Sequence, residues 1–181
     1  MKGVIFTHLQ EMVETQMGFQ MWNDVIDGCA LATDGVFIST EFYPDEELFA
    51  IVSALSEKTA VPANDLVEAF GVYLFPKLHA SVPPEVFEPK TMWEMLEGLD
   101  SIIHMEVKKL NKQAETPSIV VKSSSENEMV LEYRSAKKLC WLALGMLKSA
   151  AEVFQEDMTI SMPLDMHEGE DHCQLVVTRN V

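Results

Sequence analysis

The chain has 181 residues, 48% of them hydrophobic, and carries a formal charge of −16 at pH 7. That length and apolar content predict one globular domain, or two small lobes, with a real core. A chain this acidic repels phosphate backbones and anionic lipid surfaces, so neither nucleic acid nor a membrane is an expected partner.

The first part of the chain is predicted to be helical, because apolar residues recur there at helical spacing. Pro44 stands at a plausible first helical position, and Thr91 and Glu94 have the spacing of a capping box. The proline-rich segment 81–90 is predicted to be a loop. Helices are predicted over residues 2–16, 21–31, 44–55, 62–78 and 91–110.

The last third changes character and alternates apolar with polar residues, which is typical of strands. Strands are predicted over residues 117–123, 129–133, 158–164 and 173–179, with a helix over 136–154. This order predicts an α+β fold in which one helix packs on a four-stranded antiparallel sheet. We expect a single domain over residues 1–181, with a helical part at about 1–80 and a part containing the sheet at 81–181.

His104 lies in "LDSIIHMEVKKL", among isoleucine and methionine residues. An imidazole at the rim of an apolar helical face is usually a core or boundary histidine. The alternative is a single axial ligand to haem iron, which a neutral imidazole nitrogen suits. One histidine alone does not make a zinc site, which needs three or four ligands.

Tyr133, Ser135 and Lys137 alternate where a predicted strand turns into a predicted helix. Read separately, they are the end of a strand, an N-cap and a solvated lysine. Read together, a phenol, a hydroxyl and a cation at a helix N-terminus converge on one or two carboxylates. Haem propionates are such carboxylates.

Three cysteines, Cys29, Cys140 and Cys173, follow no disulfide framework and indicate reduced thiols in a cytoplasmic protein. The segment "MHEGEDHC" brings His167 and His172 close to Cys173 in sequence, and Cys140 could approach from the preceding helix. The spacing fits no common zinc pattern, so an acidic turn between strands is the favoured interpretation. The N-terminus lacks the apolar region of a signal peptide.

These features together resemble the H-NOX family, the haem nitric oxide/oxygen binding domains, in its stand-alone bacterial form. The resemblance covers essentially the full length of the chain. It is carried by the "MKGVIF" start, the histidine in "SIIHMEV", the proline in "ETPS", "EYRSAKKL" with the long helix after it, and "GEDHCQLVV" near the end. Members of this family are related to the haem domain of soluble guanylate cyclase.

The resemblance implies haem b, with His104 as the proximal iron ligand. It implies that Tyr133, Ser135 and Lys137 bind the haem propionates. Lys137 stands where the family pattern has arginine, and lysine is a point charge on a flexible stem instead of a planar fork. Arg134 is therefore expected to assist.

Further residues are assigned by the same resemblance. Pro117 matches a proline that presses on the porphyrin, and Ile5 and Ile103 are expected to pack against it. The distal pocket is expected to contain Leu74, Leu142 and Met146.

The resemblance implies gas sensing without catalysis. It implies that nitric oxide binds opposite His104 and weakens the iron–histidine bond, so that the helical part is expected to shift relative to the rest of the chain. The expected partner is a histidine kinase or a cyclic-di-GMP-metabolising enzyme.

Gas selectivity follows from the distal pocket. Leu142 matches the position of a tyrosine donor in oxygen-binding relatives, and Leu74 matches a supporting polar position. Tyr73 and Trp141 carry donors but lie about 100° round their helices from those leucines. We therefore expect complexes with nitric oxide and carbon monoxide and no stable oxygen complex.

Two alternatives stay open at this point. One is a haem-free interaction module that responds to zinc or to redox conditions through Cys140, Cys173 and the nearby histidines. The other is an oxygen-binding member of the same family.

Overall fold

In a computed structural model that describes residues 1–105, 109 and 115–180, the chain has the α+β fold that the sequence predicts. The helices are α1 Gly3–Met17, α2 Phe19–Asp27, α3 Asp45–Thr59, α4 Ala63–Ser81, α5 Met92–Gly98 and α6 Cys140–Val153. A π-helical segment, Leu99–His104, continues α5. The strands are β1 Ser118–Ser124, β2 Glu128–Arg134, β3 Met158–Leu164 and β4 Cys173–Arg179.

The four strands form one antiparallel sheet in the order β1-β2-β4-β3. Because side chains alternate across a strand, β2 buries Met129, Leu131 and Tyr133 on one face, as the sequence predicts. Cys173 and Leu175 of β4 are buried beside them. Helices α5 and α6 contribute buried apolar side chains to the same core, so the sheet has one covered face.

Helices α1 to α4 enclose a second apolar core at the N-terminal end of the chain. Its largest fully buried side chains include Phe6, Phe70 and Ile51. None of the helices in the described part of the chain is long and apolar enough to cross a membrane.

The two cores meet where α4 crosses α6 at a pair of glycines. A Cβ on Gly71 would lie 2.2 Å from the carbonyl oxygen of Leu142, and a Cβ on Gly145 would lie 2.0 Å from that of Glu68. Only glycine permits such close backbone contact. Lys148 of α6 also donates to Glu68 of α4 at 2.5 Å, so an ion pair joins the same two helices.

The structure corrects several predicted boundaries. The helix predicted over 136–154 begins at Cys140, because Lys138 has φ 48 and a left-handed residue cannot continue a right-handed helix. The helix predicted over 91–110 changes to a π-helix at Leu99. The helix predicted over 21–31 already ends at Asp27, before Gly28.

Candidate haem site and thiol cluster

His104 is the last residue of the π-helical segment that follows α5. Its side chain is 13% exposed, and its Nδ1 lies 3.0 Å from a carboxylate oxygen of Asp100, one turn earlier. Single π-turns inside helices are frequent at functional sites. A carboxylate on Nδ1 fixes the orientation and tautomer of an imidazole, as it does for metal-binding histidines. The segment also packs against β1, which brings it close to the sheet.

Tyr133, Ser135 and Lys137 form what we call the β2–α6 corner. Tyr133 ends the buried face of β2, between Ile119 of β1 and Cys173 of β4. Burial raises the pKa of Tyr133 to about 12, so the side chain stays a phenol and keeps its donor. Ser135 is not the N-cap of α6, which is Leu139, and its Oγ accepts a hydrogen bond from the backbone N–H of Lys137 at 3.2 Å.

Lys137 is the cation of the corner, and its side chain is only 14% exposed. Its Nζ lies 3.1 Å from a carboxylate oxygen of Asp45 and 3.6 Å from one of Glu115. Burial would raise the pKa of the Asp45 carboxyl, but ion pairs with the Met1 amino group and with Lys137 outweigh this and hold that pKa below its usual value. Because Asp45 begins α3, this ion pair connects the helical part to the corner.

Arg134, the residue expected to assist in binding the propionates, has its contacts outside the corner. It is exposed and donates to Glu132 at 2.9 Å and to the Asp171 carboxylate at 3.1 Å. Successive residues of a strand point to opposite faces, so Arg134 and Tyr133 diverge.

The residues expected to pack on the porphyrin are distributed over both parts of the fold. Pro117 is half-buried and immediately precedes β1, while Ile5 is half-buried on α1 against the N-terminal core. The prediction for Ile103 concerns a side chain that lies outside the described residues.

The expected distal residues lie at the crossing of α4 and α6. Leu74 is fully buried in the N-terminal core, and Leu142 packs against that core from α6. Met146 packs against the C-terminal core instead, although its backbone nitrogen faces Gly71. The structure therefore brings the two leucines to one core and puts Met146 at the border between the cores.

Two nearby aromatic residues have contacts outside this group. The indole N–H of Trp141 donates to a carboxylate oxygen of Asp165 at 3.0 Å. The ring of Tyr73 is covered by the ammonium of Lys77, 4.7 Å from the ring centroid.

Beside the corner lies a second polar group that we call the thiol cluster: Cys140, Asp165, His167 and Cys173. Cys140 Sγ lies 3.4 Å from Asp165 Oδ1 and 3.6 Å from His167 Nδ1. Cys173 Sγ lies 3.8 Å from the same carboxylate oxygen. Ligand atoms of the two cysteines and Asp165 all lie within 4.8 Å of one another.

The favoured interpretation of "MHEGEDHC" as only an acidic turn was therefore incomplete. Sequence reasoning did not single out Asp165, and no spacing signal pointed to it. His172 does not join the cluster, because its Nδ1 lies 2.5 Å from Asp171.

The thiols of the cluster are held in their neutral form. Burial raises the pKa of both Cys140 and Cys173, and the Asp165 carboxylate adds to this effect. Burial would also raise the pKa of Asp165, but hydrogen bonds from His167 and Cys140 lower it overall. The cluster is thus one buried carboxylate surrounded by donors.

Comparison with known proteins identifies the class to which this fold and site belong. A family model described as haem-NO-binding matches residues 2–162. An H-NOX protein from Shewanella oneidensis, solved in the Fe(II)NO ligation state, is 35% identical, with 100% of both chains covered and a TM-score of 0.92.

Two further H-NOX structures are also similar to this chain. An unliganded Fe(II) H-NOX protein from K. algicida is 28% identical, with 100% of this chain and 97% of that chain covered and a TM-score of 0.92. The IWP-051-bound H-NOX from Shewanella woodyi, in the Fe(II)CO ligation state, is 34% identical, with 99% of this chain and 95% of that chain covered and a TM-score of 0.84. The chain belongs to the haem-NO-binding, or H-NOX, family.

Proposed function

We propose that this protein is a non-catalytic gas sensor that binds nitric oxide, and also carbon monoxide, at ferrous haem b. Family membership supports haem over the haem-free alternative, and the relative from Shewanella oneidensis was solved with nitric oxide on Fe(II). The observation that carries the proposal is the β2–α6 corner, next to a sheet on which the segment ending at His104 packs.

The residues present fit haem. Haem has an iron that accepts an imidazole and two propionate carboxylates that need donors. Tyr133 is kept protonated, Ser135 carries a hydroxyl and Lys137 carries a charge. We propose that these three hold the propionates and that His104 holds the iron, while Asp100 orients the imidazole. Bound haem would supply a ferrous iron on which a diatomic gas binds.

We propose that Pro117, Ile5 and Ile103 pack against the porphyrin and that Leu74, Leu142 and Met146 line the gas side. An apolar pocket gives bound oxygen no hydrogen-bond donor, which favours nitric oxide and carbon monoxide. The engagement of Trp141 with Asp165 supports this selectivity.

We further propose that gas binding is reported to a histidine kinase or to a cyclic-di-GMP-metabolising enzyme in the cytoplasm. The three reduced cysteines support the location. The close contact of α4 with α6 at Gly71 and Gly145 supports a coupled movement, because neither helix can shift without displacing the other.

His104→Gly tests the iron ligand. If His104 is the protein's iron ligand, the purified variant should carry less than about a tenth of the wild-type haem, because a lost coordinate bond exceeds 1.4 kcal/mol. Imidazole in the growth medium should restore haem content. His8→Gly, on a partly exposed histidine of α1, is the control. A His104→Gly variant with wild-type haem content and ferrous spectrum would contradict the assignment.

We propose a second role for the thiol cluster, as a zinc site. Two sulfurs, one imidazole nitrogen and one carboxylate oxygen are a suitable tetrahedral set for Zn²⁺. Three of these groups are buried within 4.8 Å of each other. Titration with Zn²⁺ should show one equivalent bound with release of protons, since metal-bound thiols are thiolates. Cys173→Ser should abolish this binding and Cys29→Ser should not; equal binding by both variants would contradict the role.

A further inference from the structure

Two buried polar side-chain atoms have no hydrogen-bond partner in the described part of the chain: Glu47 Oε1 and Thr116 Oγ1. The Glu47 carboxylate is held through its other oxygen, which accepts from Thr33 Oγ1 at 2.5 Å. The Thr116 hydroxyl makes no such bond. A buried hydroxyl without a partner costs about 1–3 kcal/mol, and folded proteins retain few of them. The structure thus leaves the Thr116 hydroxyl as an unpaired donor.

Thr116 lies next to the β2–α6 corner. The residue before it, Glu115, has a carboxylate oxygen 3.6 Å from Lys137 Nζ. Three residues after Thr116, Ile119 of β1 pairs with Tyr133 of β2. The buried hydroxyl is thus in the short stretch of chain between a contact of Lys137 and a partner of Tyr133.

Because of the charges at the corner, a neutral donor can bind a carboxylate there where the ammonium alone binds it weakly. The Lys137 ammonium is already shared by the carboxylates of Asp45 and Glu115, which reduces its attraction for a further anion. A hydroxyl attracts a carboxylate without bringing a charge that needs its own counterion. Hydrogen bonds from hydroxyls to carboxylates are also among the shorter and stronger ones in proteins.

We propose that the Thr116 hydroxyl donates a hydrogen bond to a propionate carboxylate of bound haem, as a positioning residue beside the three residues of the corner. This inference rests on the proposed haem function. It gives the orphaned hydroxyl a partner and adds a neutral anchor where lysine replaces the planar guanidinium of the family pattern.

Thr116→Val tests the bond, because valine keeps the shape of threonine and removes the hydroxyl. The haem-loaded protein is mixed with excess apomyoglobin, and the rate of haem transfer is followed by absorbance. We expect Thr116→Val to lose haem about tenfold faster than wild type, in line with a charge-assisted hydrogen bond. Thr116→Ser, which keeps the hydroxyl, should stay within about twofold. Transfer from Thr116→Val at the wild-type rate would overturn the inference.

A haem without propionates separates a hydrogen bond from a packing effect. Wild type and Thr116→Val are loaded with iron etioporphyrin, which has alkyl groups in place of the propionates and therefore no acceptor there, and the transfer is repeated. The ratio of the two rates should then fall towards one. A ratio that stays near tenfold would mean that the hydroxyl acts through packing or a bound water, and would overturn the inference.

The two proposals fail in different ways. If wild-type protein holds no haem at all, the proposed function itself is wrong. If wild type holds haem and Thr116→Val releases it at the same rate, only the role of Thr116 is wrong.

Discussion

The β2–α6 corner and the thiol cluster touch where Tyr133 pairs with Cys173, and their polar groups are satisfied in different ways. At the corner, the ion-pair partners of Lys137 are a residue of α3 and an exposed glutamate, which can exchange for another anion. In the cluster, buried Asp165 accepts from the Trp141 indole and from His167 within the folded chain.

The corner is the site that we propose for a ligand, whereas the carboxylate of the cluster already accepts hydrogen bonds within the folded chain before any metal binds. Substitutions at the corner should therefore change haem retention more than folding. Substitutions at the cluster's carboxylate should change folding more than haem retention.

Asp165→Ala should destabilise the purified protein by about 3 kcal/mol, because hydrogen bonds to a charged acceptor contribute about 1.5–3 kcal/mol and several donors lose theirs. Urea unfolding measures the change. Asp165→Asn keeps an acceptor and should cost less. Two results would contradict the difference between the two sites. One is a urea midpoint of Asp165→Ala equal to that of wild type. The other is haem loss from the folded variant as fast as from a variant of the corner.

Tyr133→Phe and Lys137→Ala should each accelerate haem transfer to apomyoglobin about tenfold, with little change in the urea midpoint. Lys137→Arg should retain haem as well as wild type or better, since a guanidinium binds a carboxylate through two parallel bonds. Lys138→Ala, on the neighbouring lysine, is the matched control. The triple variant combines Tyr133→Phe, Ser135→Ala and Lys137→Ala. If it transferred haem at the wild-type rate, the corner would not be part of the haem site.

The smallest expected effect is the pH dependence of the ion pairs that Asp45 makes with the Met1 amino group and with Lys137. The pKa of Asp45 is lowered in the fold, so its contribution to stability is present above the unfolded value of about 3.9 and is lost as the pH falls through the folded pKa. Asp45→Asn should therefore lessen the loss of stability below about pH 4. Ion pairs that solvent still reaches contribute up to about 1 kcal/mol. Identical acid unfolding of variant and wild type would show that these pairs contribute nothing.

The residues of the corner could be singled out from the sequence because they lie within five positions of one another. The alternation of Tyr133 with Ser135 and Lys137 crosses a recognisable change from strand to helix periodicity. The thiol cluster could not be predicted, because its residues come from α6, β4 and the connection between β3 and β4. Only the sheet pairing and the packing of α6 bring Cys140 to Cys173.

The fold was predictable where local patterns are strong and less so at boundaries. The strands were found from their alternation, which the buried face of β2 confirms. The predicted start of α6 is too early, because nothing in "SAKKL" indicates the left-handed conformation of Lys138. The π-turn before His104 was missed because the periodicity of an α-helix continues across it in the sequence.

The central claim is that ferrous haem in an apolar pocket of this protein senses nitric oxide. The most direct test is the visible spectrum of the purified ferrous protein under nitric oxide, under carbon monoxide and in air. The account predicts a Soret band that shifts with nitric oxide and with carbon monoxide, and no lasting oxygen complex in air. A protein without a Soret band would contradict the haem assignment. A long-lived oxygen spectrum would contradict the selectivity and point to Tyr73 or Trp141 as a donor in the pocket.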